Sequence, residues 1–191
     1  MIDDLCEVAH ISNRFICVRH KALSSNQCLM LIFAYAPPME NQKQNFLDEI
    51  AAFIMSCSIP CVLIGDLNEI GCPDDKLGGT NNAYARCCRL PDFINKCDLI
   101  DLLTTGGRYT WRKNASEVNN IYEKLDRVLV HPDAIQRLPH LATHNHVFTT
   151  SDHALISLDL SSNTQHQAQP DRKSTRLNSS HRSLSRMPSS A

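Results

Sequence analysis

No apolar run in the 191-residue sequence approaches the roughly 20 residues that a helix needs to cross a bilayer. The opening Met1-Ile2-Asp3-Asp4 is acidic and has neither the basic nor the apolar region of a secretory leader. No two of the nine cysteines stand at C-x-x-C spacing, which argues against a zinc ribbon. Several fall at apolar positions of expected strands and helices, where cysteine behaves as a small buried hydrophobe. That pattern suits a reducing, intracellular compartment. The length is that of one domain with a sizeable core.

A net charge of -1 conceals two unlike parts. Of the 19 basic and 20 acidic residues, five basic (Arg172, Lys173, Arg176, Arg182, Arg186) and one acidic (Asp171) lie in 161–191. That leaves 14 against 19 in residues 1–160, a net of -5. The tail is rich in Ser, Arg and Asn with little apolar periodicity, so it is expected to be disordered. It could be read as a basic nucleic-acid arm. The run Arg172 to His181 looks more like a translated sequencing-adapter artefact. Deleting 161–191 is therefore expected to leave the melting temperature unchanged within error; a clear loss would give the tail a structural role.

The organising stretch is Cys61-Val62-Leu63-Ile64-Gly65-Asp66-Leu67-Asn68-Glu69. A short apolar run bounded by a glycine reads as a buried strand. If the strand persists, Asp66 and Asn68 leave the same face, side by side at its carboxyl end. Ligands of open α/β folds commonly bind there. The carboxylate can orient water or hold a metal, and the amide can donate to a phosphate oxygen. Gly, Asp and Asn are also ordinary turn residues.

Around it, Arg14–Arg19 and Cys28–Tyr35 read as a strand pair that stops at Pro37-Pro38. Asn41–Ser56 has one apolar stripe at helical spacing. Ala83–Arg89 and Pro91–Lys96 read as two short helical pieces, with Pro91 first in the second. Tyr109–Arg112 reads as a strand holding the only tryptophan. Ile121–Val130 reads as one buried strand interrupted by Asp126-Arg127, a charge pair that needs a partner or an exposed end. A short helix is expected over Pro132–Leu138, and a strand in the second half of Thr149–Leu160. His140, His144 and His146 are read as solvated or structural rather than as a metal site.

Tyr35, Asp66, Asn68, Asp126, Asp152 and His153 each fall near an expected strand end. The segments Tyr35-Ala36-Pro37-Pro38, Gly65-Asp66-Leu67-Asn68-Glu69, Leu125-Asp126-Arg127 and Ser151-Asp152-His153 resemble, in order and separation, the endonuclease/exonuclease/phosphatase superfamily. Gly78-Gly79, Tyr109-Thr110-Trp111 and Leu125 to Val130 resemble the apurinic-type endonuclease domain of plant LINE-type (non-LTR) retrotransposons. The resemblance spans about residues 10–160. It implies an α/β fold, a DNase I-like two-sheet β-sandwich flanked by helices in four layers, incomplete at its amino terminus. Residues 1–160 would be a partial domain of that kind and 161–191 a tail.

The resemblance also implies roles. Asp66 would orient or deprotonate the attacking water, Asn68 would help bind the phosphate, and Tyr35 would contact the phosphate or the leaving oxygen. His153 would stabilise the developing charge, oriented by Asp126. Asp152 would help hold Mg²⁺ or Mn²⁺, which favour hard oxygen ligands. The substrate would be a DNA backbone, with a reverse transcriptase in the parent polyprotein and a nuclear site of action. One departure matters: the early Asn and the metal-binding Glu of the family have no counterpart here, and Glu7, Glu40 and Glu49 stand in the wrong context. Three functions follow: a DNA-nicking endonuclease inactive as truncated, an inositol-phosphate or sphingolipid phosphatase of the same fold, or a non-catalytic remnant. The acidic main part disfavours strong non-specific DNA binding.

Overall fold

The computed structural model describes residues 6–21, 28–79, 86–114 and 120–160; the tail and residues 83–85 of the first expected helical piece lie outside them. Five strands build the central sheet around the apolar runs: β1 (Cys6–Ile11), β2 (Phe15–Lys21), β3 (Cys28–Tyr35), β4 (Cys61–Asp66) and β10 (Asp126–Val130). A short β6 (Ile100–Asp101) completes the order β1-β2-β3-β4-β10-β6. β3 and β4 run parallel and α1 (Glu40–Ser56) connects them; the other neighbours are antiparallel.

Alternation along the strands splits the core in two. Phe15, Cys17, Ile32, Leu63 and Leu129 face α1, meeting Phe46, Leu47, Ile50 and Ile54, and α2 (Arg89–Lys96) adds Leu90 and Phe93. Ile32, Ile50 and Leu63 are fully buried. Each such side chain contributes about 1.5–3 kcal/mol. The opposite face carries Leu29, Leu31, Val62, Val128 and Val130. There it meets Ile156 and Leu158 of β12 (Ile156–Asp159) and Ala134 of α3 (Pro132–Arg137). β12 belongs to a second sheet, ordered β12-β11-β7, with β7 (Thr104–Gly106) and β11 (Ala142–Asn145). Over β1, over Ile16 of β2 and over the carboxyl end of β3 this face is open, and Val8, Ile11, Ile16, Phe33 and Tyr35 are exposed.

The expected strand over Ile121–Val130 is two strands in two sheets. β9 (Asn120–Glu123) lies between β5 (Lys76–Leu77) and β8 (Trp111–Asn114) in a third sheet, whereas β10 joins the central one. The chain changes sheets at Lys124-Leu125, so Asp126-Arg127 opens β10 instead of interrupting a strand. Arg127 pairs with Asp75 and Asp101, not with its neighbour Asp126. Pro91 is the third residue of α2, still within the first turn, where a missing N–H costs no helix bond.

All nine cysteines are free, and burial pushes the Cys17 and Cys61 thiols up to about 12. His144 and His146 bond to the hydroxyls of Thr105 and Ser157 at 2.9 and 3.0 Å. Among the described residues, no helix is long and apolar enough to cross a membrane.

Candidate active site

Asp66 ends β4, and its neighbours across the sheet are Tyr35 of β3 and Asp126 of β10, in register on either side. The three side chains therefore share the face away from α1. Asn68 reaches Asp66 by a different route from the strand alternation expected. The strand ends at Asp66, and Asn68 takes a left-handed backbone, φ 50°. The Asp66 carboxylate accepts from the Asn68 backbone N–H at 2.8 Å, an Asx turn, and from Asn68 Nδ2 at 3.2 Å. Nδ2 also donates to the Ala36 carbonyl at 2.8 Å. Both amide hydrogens are thus engaged, and Asn68 orients the carboxylate.

Gly65 makes this geometry possible. Its φ is 148°, and a Cβ there would stand 1.9 Å from the Ala34 carbonyl oxygen of β3. Gly65→Ala is expected to destabilise the fold by about 1–3 kcal/mol, as overpacking does. Chemical denaturation would measure it, and a change below about 0.5 kcal/mol would show that β3 and β4 can part without cost.

His153 approaches from the loop before β12. Its Nδ1 lies 3.0 Å from Asp126 Oδ2, which leaves Nε2 for a ligand. Thr110 fixes both partners of this dyad. Its buried hydroxyl accepts from the Leu125 and Asp126 amides at 3.0 and 2.9 Å, and its carbonyl accepts from Ala154 N at 2.7 Å. Burial pushes the Asp66 carboxyl above the usual aspartate range; the Asn68 amide opposes this, Asp126 reinforces it, and His153 and Lys43 pull down.

Tyr35, Asp66, Asn68 and His153 line one cleft of about 460 Å³, with Asp126 behind His153. Trp111, Lys43, Arg86, Glu40 and Glu123 also line it. Asp152 is exposed and accepts from Trp111 Nε1 at 3.2 Å. Its own backbone amide and Trp111 hold its carboxyl below the usual range.

Lys43, Arg86, Glu123 and Thr110 were not foreseen as site residues. For Lys43 a signal existed: it lies three residues before Phe46 and four before Leu47, on the buried stripe of α1.

A divalent metal fits the described residues poorly. Among them no group of three or more His, Cys, Asp or Glu could hold an ion. Two of the cleft carboxylates are already neutralised: Glu40 by Arg89 and Lys43, Glu123 by Arg86 at 2.8 Å and Lys76 at 3.1 Å. Glu7 pairs with Arg19 on β1, and Glu49 is exposed on α1.

Neither a known protein family nor a curated protein matches the sequence. Solved structures do. The endonuclease domain of TRAS1, a telomere-specific non-LTR retrotransposon, is 15% identical over 81% of this chain and 68% of its own, with a TM-score of 0.59. The AP endonuclease LMAP from Leishmania major is 11% identical over 77% of this chain and 54% of its own, TM-score 0.60. The fold is DNase I-like. A third DNase I-like neighbour, the inositol polyphosphate 5-phosphatase domain of SPsynaptojanin, was solved with inositol (1,4)-bisphosphate and calcium ion. It is 14% identical over 79% of this chain and 51% of its own, TM-score 0.50. The chain thus spans about half to two thirds of these structures. Nucleases and a phosphatase share this fold, so the choice between them falls to the site.

Proposed function

We propose that residues 1–160 are a phosphodiesterase domain of the DNA-nicking type found in LINE-type retrotransposons, and that the tail takes no part. The observation that carries this reading is the convergence of Asp66, Asn68 and Tyr35 with the His153–Asp126 dyad at one cleft.

In it, Asp66 takes the proton of the attacking water. Its raised pKa brings it closer to neutral pH, where a general base works best. Asn68 Nδ2 exchanges its longer bond, the 3.2 Å one to Asp66, for a phosphate oxygen. His153 presents Nε2 to the phosphate while Asp126 holds Nδ1 and stabilises the charged ring. The Tyr35 hydroxyl donates to the phosphate or to the leaving oxygen; as the water oxygen bonds to phosphorus, the P–O bond to that sugar oxygen breaks and the oxygen departs with a proton from solvent. Mg²⁺ or Mn²⁺ would neutralise phosphate charge, held by Asp152 with ligands from beyond the described residues. The chain by itself then has little activity. A reverse transcriptase partner and a nuclear site of action belong to the same reading.

Supercoiled plasmid and an inositol polyphosphate offered in parallel to the chain, and to any longer form that the gene encodes, test it. Nicking without phosphate release, both measured against Asp66→Ala, is the expected result. Phosphate release without nicking would turn the assignment to the phosphatase. Filter binding at low and high salt without turnover would leave only the non-catalytic reading.

A further inference from the structure

Lys43 is 5% exposed, and a lysine so buried needs a reason. It projects from α1 toward the turn after β4. Its ammonium donates to the Asn68 carbonyl at 2.6 Å and stands 3.5 Å from Glu69 and 3.6 Å from Glu40. Both carboxylates have a second cation besides Lys43: Arg89 Nε reaches Glu69 at 2.8 Å, and Arg89 also bonds Glu40. The Asn68 carbonyl therefore receives the shortest of the three contacts.

Asn68 is where the fold needs holding. A left-handed backbone is unfavourable for most residues with a Cβ, and Asn tolerates it when local hydrogen bonds hold the turn, as those to Asp66 do here. The turn is tied on one side by Leu67 N to Leu125 O at 3.0 Å and on another by Asn68 Nδ2 to Ala36 O. Lys43 supplies the tie from the helix layer. We propose that Lys43 is a positioning residue of the catalytic turn: from α1 its ammonium clamps the Asn68 carbonyl and so keeps the Asx turn that presents the Asp66 carboxylate. The catalytic part of this statement rests on the phosphodiesterase reading; the clamp does not. Lys43 also lines the cleft beside Asp66.

A purely structural ion pair would behave differently from a clamp, and Arg89 separates them. Arg89→Met breaks the pairs with Glu69 and Glu40 but touches nothing at Asn68. The readout is hydrogen exchange of the Asn68 side-chain amide in the full chain, followed by NMR. Exchange is expected to quicken about tenfold or more in Lys43→Met, to return to within about threefold in Lys43→Arg, and to stay near the wild-type rate in Arg89→Met even as that variant melts earlier. Unchanged protection in Lys43→Met, or an equal loss in Arg89→Met, overturns the clamp. If Lys43→Met does not fold, the wild type decides. A correlation across the hydrogen bond from Lys43 Nζ to the Asn68 carbonyl carbon is expected, and its absence overturns the proposal. None of these measurements needs turnover. Failure of the phosphodiesterase reading in the plasmid and inositol polyphosphate test above, with Asn68 protection lost in Lys43→Met, would leave the clamp standing.

Discussion

The purified 191-residue chain is expected to nick supercoiled plasmid in Mg²⁺ no faster than its Asp66→Ala variant. The described residues bring no three metal ligands together, and Glu40 and Glu123, the nearest spare carboxylates, are held by cations. Mg²⁺ demands near-octahedral coordination and dehydrates reluctantly, so a site short of ligands stays poorly filled. The open carboxyl end of β3 adds a second deficit, because Tyr35 stands there half-exposed, with the Arg14 guanidinium 5.8 Å from its ring. Misplacement by about 1 Å can cost on the order of a hundredfold. Should the gene encode a segment before Met1, adding it is expected to raise Mg²⁺-dependent nicking by about a hundredfold or more. Asp66→Ala or His153→Ala in that longer protein should remove the gain. Nicking by the 191-residue chain well above its Asp66→Ala variant would show that the described residues suffice.

Arg127→Met is expected to cost about 3–5 kcal/mol at pH 7, because removing one partner of a buried ion pair strands the other. The Arg127 side chain is 2% exposed and bridges Asp75, itself 8% exposed, to Asp101. The change deletes the cation that ties Asp75, just before β5, and Asp101 of β6 to β10. For a domain of this size the melting temperature should fall by roughly ten degrees. Acid gives a second signature. Burial alone would push the Asp75 carboxyl up, but Arg127 and the amides of Gly71 and Cys72 outweigh it and hold it below the usual aspartate range. A carboxyl depressed in the folded state stabilises above its unfolded pKa, and that contribution is lost as pH falls through the folded value. The wild type should thus lose stability below about pH 4, and the gap to Arg127→Met should narrow there. A loss under about 1 kcal/mol at pH 7 would mean that the two carboxylates find other partners.

Much of this was legible in the sequence where apolar spacing carries the information. β3, β4 and α1 stand within a residue or two of where their apolar patterns put them, because each buries a continuous run or a single stripe. β1 was not legible: Cys6–Ile11 is exposed at every residue, so burial left no pattern. The run to Val130 was read as one strand because β9 and β10 are alike in composition, and only the third dimension assigns them to different sheets. Asp66 and Asn68 were paired for their chemistry, but the Asx turn that joins them depends on a φ of 50° that no periodicity encodes. Lys43 escaped notice because lysine ordinarily marks a solvated face, and its partner, a backbone carbonyl, has no letter in the sequence.

The row Tyr35–Asp66–Asp126 has a consequence for insertions and deletions. Three neighbouring strands place these residues at one level and on one face, so the site is kept like a reading frame of period two. Losing one residue between Cys61 and Asp66 would turn the terminal carboxylate toward Phe46 and Leu47 under the sheet. Losing two would restore the face but drop the carboxylate one level below its neighbours. Length variation within β3, β4 and β10 is therefore almost forbidden in any descendant that keeps the chemistry. A gene for this chain that decayed by small deletions would lose the row to a single lost codon in these strands long before it lost the composition of its core.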